Sequence, residues 1–162
     1  FDGFEARVAL AKIFRRFRPH VVLGLTDKTP LASPAHYQAM LITDAAVFYS
    51  RLTKWDEHFD GLPAHSIASQ LYFTLAIRSL DHPEATGCFV ADISDTLAVK
   101  LAAIRAYETQ FPPEKEPLFG LLEGVNRHYG HIAGFEAGEL FWTTRPIATD
   151  DLMKIASPRH VR

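Results

Sequence analysis

His36 is the side chain of this sequence best placed for metal chemistry. It follows Ser33, Pro34 and Ala35; serine is favoured at a helix N-cap and proline at the first helical position. The imidazole then lies in the first turn, where the positive end of the helix dipole favours the neutral ring that a metal binds. A lone histidine at a helix start is more often a cap or a surface residue, so this pattern alone leaves metal binding open.

The other histidines do not obviously complete such a site. A mononuclear catalytic zinc needs three protein ligands and an open position for water. His128 and His131 are spaced i, i+3 on a predicted helix, but no acidic partner is fixed nearby, so we interpret them as surface or packing residues. His82 lies in a predicted turn. The remaining ones show no clustering: His20, His58, His65 and His160.

The elements that must position His36 alternate between helix and strand. Apolar residues at i, i+3, i+4 and i+7 predict a helix over residues 4–17, namely Leu10, Ile13, Phe14 and Phe17. The apolar run HVVLGL, residues 20–25, is typical of a strand buried on both faces of a parallel sheet. A loop over residues 26–35 follows, and a largely buried helix is predicted from about Pro34 to Trp55.

The second half of the chain continues this alternation. Strands are predicted at residues 66–77 and 87–94, helices at 95–110 and 117–133, and a last short strand in GELFWTT. Such alternation indicates an α/β layered domain. Only HVVLGL has the composition of a parallel core strand, so we expect a sheet that lacks its opening βα units.

The charge balance excludes some classes of partner. The sequence carries 17 basic and 19 acidic residues, a formal net charge of -2, without a block of one sign. We therefore expect neither nucleic acid nor a membrane surface as a partner. The densest basic run is predicted to be a solvated helix face: Lys12, Arg15, Arg16 and Arg18.

Cysteine content and hydropathy narrow the interpretation further. The single cysteine, Cys88, excludes an internal disulfide, and its apolar neighbours predict that it is buried and inert. No apolar run approaches the roughly 18 residues needed to span a bilayer and no signal peptide is recognised, which favours a cytoplasmic location. Because the chain begins at Phe1 without an initiator methionine, we expect a fragment, with residues 1–162 forming one domain.

Several blocks of the sequence resemble one family in the same order. SPAHYQAMLITDAAVFYSRL is similar to the region around the third metal ligand of the LmbE-like, or PIG-L, zinc-dependent N-acetylglucosaminyl deacetylases. Later blocks of that family resemble FVADISDTLAVKLAAIRAYETQF, HYGHIAGFEAGELF and RPIATDDL, and RPHVVLG precedes the motif. The resemblance covers nearly the whole chain. It implies a Rossmann-like three-layer α/β domain with a mostly parallel sheet, of which this chain is the C-terminal part.

The resemblance also implies a zinc site that this chain holds only in part. In the family, an early His-Pro-Asp-Asp type motif gives two ligands and the general base, and a later His-Pro-Asp-His motif gives the last ligand. The later motif corresponds here to Ser33, Pro34, Ala35 and His36, so His36 matches the ligand position. Ser33 and Ala35 replace two helper residues near the oxyanion. The early motif is absent from the sequence.

Other positions are assigned from the same resemblance. Ala137 stands where some relatives place a tyrosine close to the reacting carbonyl, and Glu139 matches an acidic position that we interpret as structural. Asp27, in the loop after the buried strand, and Arg78, at a strand end, are candidate substrate-binding residues together with Ser33. For Asp27 and Arg78 the alternative is ordinary surface charge.

Metal-assisted amide hydrolysis is the implied chemistry. Zinc lowers the pKa of a bound water, a carboxylate takes its proton, and the hydroxide attacks an acetamide carbonyl. The resemblance thus implies a hydrolase that removes an acetyl group from an N-acetylated amino sugar, a small-molecule substrate, and that is active only as the intact protein. The alternative is a non-catalytic binding or scaffold module. Relatives often self-associate, so the resemblance also allows a homo-oligomer.

Overall fold

The structure is a computed structural model that describes residues 1–26, 33–73 and 87–156. Within these ranges short 3-10 turns lie at Asp56–His58 and Pro113–Lys115. The helices and strands are, in chain order, α1 (Phe4–Phe17), β1 (Val21–Leu25), α2 (Pro34–Tyr49), β2 (Ser69–Phe73), β3 (Gly87–Asp92), α3 (Leu97–Arg105), α4 (Pro117–Ala133), β4 (Gly138–Thr143) and α5 (Leu152–Ala156).

All four predicted helices are present, and two of them, α2 and α3, are shorter than predicted. The predicted helices at 4–17 and 117–133 have the observed bounds of α1 and α4. Helix α2 ends at Tyr49 rather than near Trp55, because the carbonyls of Ser50 and Leu52 accept hydrogen bonds from the Arg15 side chain instead of continuing the helix. Helix α3 is likewise shorter than predicted.

The four described strands form one mixed sheet in the order β1-β2-β4-β3. Strand β1 pairs with β2 in parallel, whereas β4 lies between β2 and β3 and runs antiparallel to both. Only one of these pairings is therefore parallel, and the described strands do not form the mostly parallel sheet that we predicted. The α/β class itself is confirmed, with helices packed on the sheet.

The prediction that HVVLGL is buried on both faces is wrong for the described part of the chain. Val22 faces the core beneath α1 and α2, whereas Val21 and Leu23 point to the opposite face and are 47% and 54% exposed. None of the described elements covers these two side chains. The prediction for Cys88 is also wrong: it lies on β3, at the other edge of the described sheet, and is exposed.

Arg15 is the exception to the predicted solvated basic face. Arg16 and Arg18 are exposed, but Arg15 is only 1% exposed. Its guanidinium donates to the backbone carbonyls of Ser50 at 3.0 Å and Leu62 at 2.7 Å, and also to that of Leu52. The same group lies 3.5 Å from the centre of a phenyl ring, that of Phe59. Arg15 thus joins α1 to the segment that follows α2.

Two apolar clusters lie under the helices. The first joins α1, α2 and β1 to Phe59, and the second joins α3, α4 and the start of β4. At the second cluster α4 approaches the strand very closely, because a Cβ at Gly130 would lie 2.5 Å from the backbone of Ala137. The buried members are Val8, Ala11, Phe14, Val22, Ala46 and Phe59 in the first cluster, and Leu97, Leu101, Phe119 and Ala137 in the second.

We predict that Arg15→Met lowers the free energy of unfolding by about 3 kcal/mol, because it leaves one buried and two part-buried carbonyls without their donor. Urea denaturation followed by circular dichroism measures this change. Arg16→Met, on the exposed face of the same helix, is the matched control and should change stability by no more than roughly 0.5 kcal/mol. Equal effects of the two substitutions would contradict the role given to Arg15.

Candidate functional site

The start of α2 has the geometry that the sequence predicts. Ser33 is the N-cap, its hydroxyl oxygen accepts a hydrogen bond from the Ala35 N–H at 3.3 Å, and Pro34 occupies the first turn. The N–H of His36 donates to the Ser33 carbonyl at 3.0 Å. Because a serine cap followed by proline fixes where a helix begins, the position of the His36 backbone follows from the local sequence.

Asp44 fixes the position of α2 over the sheet. Its Oδ1 accepts hydrogen bonds from Gln70 Nε2 at 2.6 Å and from the Tyr72 hydroxyl at 3.1 Å, both from β2. Burial, and next the neighbouring Asp44 carboxylate, raise the pKa of Tyr72 above its usual value near 10. Helix α2 also lies close to β1, since a Cβ at Gly24 would be in ordinary van der Waals contact with the Thr43 methyl group, at 3.6 Å.

His36 is half-buried, and one of its ring nitrogens is enclosed. Nδ1 is shielded from solvent and has no hydrogen-bond partner among the described residues. Burying a polar group without a partner costs roughly 1–3 kcal/mol, so this nitrogen is a candidate to bind a ligand. Either nitrogen of a neutral imidazole can bind a metal ion.

The His36 side chain lies at the wall of a cavity of about 710 Å³. Phe73, the last residue of β2, also lines it, so the cavity extends beyond the carboxyl end of the parallel β1–β2 pair, where ligands of open α/β sheets bind. The rest of the wall comes from β4 and from α3, α4 and the segment between them: Lys100, Ala103, Ile104, Tyr107, Gln110, Phe111, Leu122, Val125, Asn126, Tyr129, Glu139 and Leu140.

Lys100 forms the charged part of this wall. Its Nζ donates to Glu139 Oε1 at 2.7 Å and to Asn126 Oδ1 at 3.0 Å, while Asn126 Nδ2 donates to the Leu122 carbonyl at 2.7 Å. The Lys100–Glu139 pair connects α3 to β4 and balances its own charge. Our interpretation of Glu139 as a structural acid agrees with this pairing.

The described residues do not by themselves fit a catalytic zinc ion. No group of three or more His, Cys, Asp and Glu side chains comes together in residues 1–26, 33–73 and 87–156. His36 contributes one ligating ring, whereas a catalytic zinc needs three protein ligands. Its assignment as a metal ligand therefore stays a prediction.

The remaining predicted site residues are not brought together with His36. Ser33 is exposed and is not among the residues that line the cavity, and Ala137 is buried beneath α4. Asp27 and Arg78 lie outside the described residues, as do His82 and His160. The substrate-binding roles of Ser33, Asp27 and Arg78 stay predictions.

Sequence reasoning missed the long-range polar contacts of the site. Asp44 bonds to residues 26 and 28 positions away, and Lys100 bonds to residues 26 and 39 positions away. Asp44 and Lys100 are each a charged residue within a mostly apolar helix segment. That placement was the one sign in the sequence that either side chain makes a long-range polar contact.

The chain is distantly similar to a diacetylchitobiose deacetylase of the LmbE-like, or PIG-L, family, over part of the length of that protein. No family model matches the sequence. The chain is 30% identical over 140 residues to diacetylchitobiose deacetylase from Thermococcus kodakarensis, a match that covers 83% of this chain and 49% of that protein. The chain thus spans about half the length of this curated relative.

Solved structures give the same class of fold. N,N'-diacetylchitobiose deacetylase from Pyrococcus horikoshii, in complex with an inhibitor, superposes with a TM-score of 0.69 at 27% identity, covering 87% of this chain and 51% of that one. A conserved protein from Thermus thermophilus gives 0.71 at 24% identity, covering 91% and 62%. 4-Carboxy-2-hydroxymuconate hydratase from Pseudomonas putida gives 0.70 at 20% identity, covering 93% and 62%. These last two likenesses show the fold alone.

We predict that Tyr72 makes the stability of the fold depend on pH above about 10. Its pKa is higher in the folded than in the unfolded chain, so the hydroxyl contributes stability below the unfolded value near 10. That contribution is lost as pH rises toward the folded value. The free energy of unfolding from urea titrations should fall between pH 10 and 11, by at most about 1.4 kcal/mol per pH unit from this group.

Tyr72→Phe should make the fall in the free energy of unfolding between pH 10 and 11 less steep. Because the substitution removes the hydrogen bond to Asp44, the variant should be less stable than the native sequence near pH 7. Tyr107→Phe, on an exposed ring, is the matched control and should keep the slope of the native sequence. A slope that is unchanged in Tyr72→Phe would refute the assignment.

Proposed function

We propose that this chain is part of a metal-dependent N-deacetylase that removes the acetyl group from an N-acetylated amino sugar, with His36 as one of the metal ligands. Two observations support the proposal in addition to the enclosed Nδ1 of His36. The first is the 30% identity to diacetylchitobiose deacetylase, which extends over 83% of the chain. The second is that His36 lies at the wall of a cavity beyond the carboxyl end of β1 and β2.

The enclosed nitrogen of His36 is the observation that carries the proposal. A buried ring nitrogen without a partner is costly in a structural histidine and is expected in a ligand position whose ligand is bound separately. His36 lies in the first turn of α2, which Asp44 holds on the sheet. A metal site requires ligand side chains that are held in fixed positions. Two other histidines differ in that a ring nitrogen of each has a partner: His65 Nε2 contacts the Pro19 carbonyl, and His131 Nδ1 contacts the Arg127 carbonyl.

In this proposal the other metal ligands come from the part of the related deacetylases that this chain does not span. The chain contributes one ligand and the wall of the substrate cavity. Ser33, Asp27 and Arg78 remain the proposed polar contacts to substrate.

A non-catalytic binding module with the same fold is the second candidate. One observation favours it: two of the three positions where relatives have polar helper residues carry only a methyl side chain, and the hydroxyl oxygen at the third already accepts a hydrogen bond. The Ser33 hydroxyl caps α2, Ala35 has a methyl side chain, and Ala137 is buried against α4.

We predict that the gene product containing this chain, loaded with zinc, releases acetate from N-acetylglucosaminides, and that His36→Ala reduces both zinc affinity and acetate release at least ~100-fold. Loss of a residue that only hydrogen-bonds a metal ligand commonly lowers metal affinity or activity about 10- to 100-fold. Loss of the ligand itself should therefore cost at least as much. Zinc titration and an enzymatic acetate assay measure the two quantities.

His128→Ala, at an exposed histidine on α4, is the matched control and should keep both properties. Unchanged zinc affinity in His36→Ala would show that this ring is not a ligand. Normal zinc binding without acetate release from any N-acetylated sugar would favour the binding module.

A further inference from the structure

The cavity beside His36 has a wall made mostly of carbon. Its apolar members come from α3, α4, the segment between them, and the ends of β2 and β4: Phe73, Ala103, Ile104, Phe111, Leu122, Val125 and Leu140. The rings of Tyr107 and Tyr129 add further carbon surface. At about 710 Å³ the cavity has the size of a site for a drug-sized organic ligand, for which volumes of roughly 300–1,000 Å³ are usual.

Three polar side chains of the wall are engaged with each other, and the polar groups of Tyr107, Gln110 and Tyr129 also line the cavity. Lys100 pairs with Glu139 and also bonds Asn126, whose amide in turn donates to a backbone carbonyl. The one ion pair is neutral overall, so the wall offers no unbalanced charge to attract a charged ligand. A sugar ring needs donors and acceptors around all its hydroxyl groups, and this part of the wall supplies few that are not already used.

The apolar residues that line the cavity beside His36 come mostly from α3 and α4, and the polar residues Lys100 and Asn126 on the same two helices bond each other. If an acetamide lies beside His36, the group attached to its sugar occupies the rest of the cavity, whose lining includes Ile104, Leu122 and Val125. We infer that the natural substrate carries an uncharged apolar aglycone, an alkyl or aryl group, and that this cavity binds it. The inference rests on the proposed function for the position of the sugar.

The test uses alkyl β-glycosides of N-acetylglucosamine with methyl, butyl, hexyl and octyl chains, each kept below its micellar concentration. Isothermal titration calorimetry on the 162-residue chain should show affinity rising about fourfold for each added methylene that the cavity buries. Octyl glucoside, which lacks the acetamide, tests binding of the alkyl group by itself. Affinity that is independent of chain length overturns the inference.

Two substitutions on α3 locate the binding. Ala103 lines the cavity and its neighbour Ala102 does not, although both are exposed alanines in the same helix. Ala103→Trp fills the cavity and should lower octyl glycoside affinity at least tenfold, whereas Ala102→Trp should leave it unchanged. Since the two variants add the same ring to the same helix, equal losses in both would overturn the inference.

A kinetic comparison separates this inference from the proposed function. In the zinc-loaded gene product containing this chain, kcat/KM for acetate release should rise with alkyl length, and Ala103→Trp should abolish the rise whereas Ala102→Trp should keep it. Acetate release that does not vary with chain length overturns the inference and leaves the deacetylase function standing. Length-dependent binding without acetate release supports the apolar site and overturns the deacetylase function.

Discussion

The carboxylate of Asp44 is the contact on which the geometry of the candidate site depends. It accepts two hydrogen bonds from β2 and so sets both the rotation and the axial position of α2 on the sheet. His36 lies eight residues earlier in the same helix, roughly 12 Å along the axis at ~1.5 Å per residue. Because a helix behaves as a rigid rod over two turns, a contact at Asp44 determines where the imidazole lies relative to β2 and the cavity.

Most buried polar groups in the described part of the chain are satisfied by neighbours, but His36 Nδ1 and Gln38 Oε1 on α2 are not. Arg15 is almost wholly buried, yet its guanidinium has three carbonyl partners. Lys100 has both a carboxylate and an amide. His36 Nδ1 is enclosed without any such partner among the described residues. The contrast places unmet hydrogen-bonding capacity in the first turns of α2, where His36 lies at the wall of the cavity.

The helices and the helix cap could be predicted from the sequence because their causes are local. Apolar periodicity predicted α1, and the Ser33-Pro34 pair predicted the start of α2. The placement of β4 between β2 and β3 could not be predicted, since it depends on pairings between residues more than 50 positions apart, such as Cys88 with Trp142. The burial of Arg15 has the same origin, because its acceptors lie 35 to 47 positions away. The cavity was missed because its walls come from five separate elements.

The absence of a side chain at Gly130 has a consequence for how this fold can diversify. Helix α4 touches the backbone of Ala137 there, and a single methyl group would collide with it. Any larger residue must lift the helix away from the strand, and with it the side chains of Val125, Asn126 and Tyr129 that face the ligand space. The width of the cavity therefore depends on a glycine that does not line it. Variants adapted to bulkier molecules are expected to change at the contact between α4 and the sheet as well as along the cavity walls.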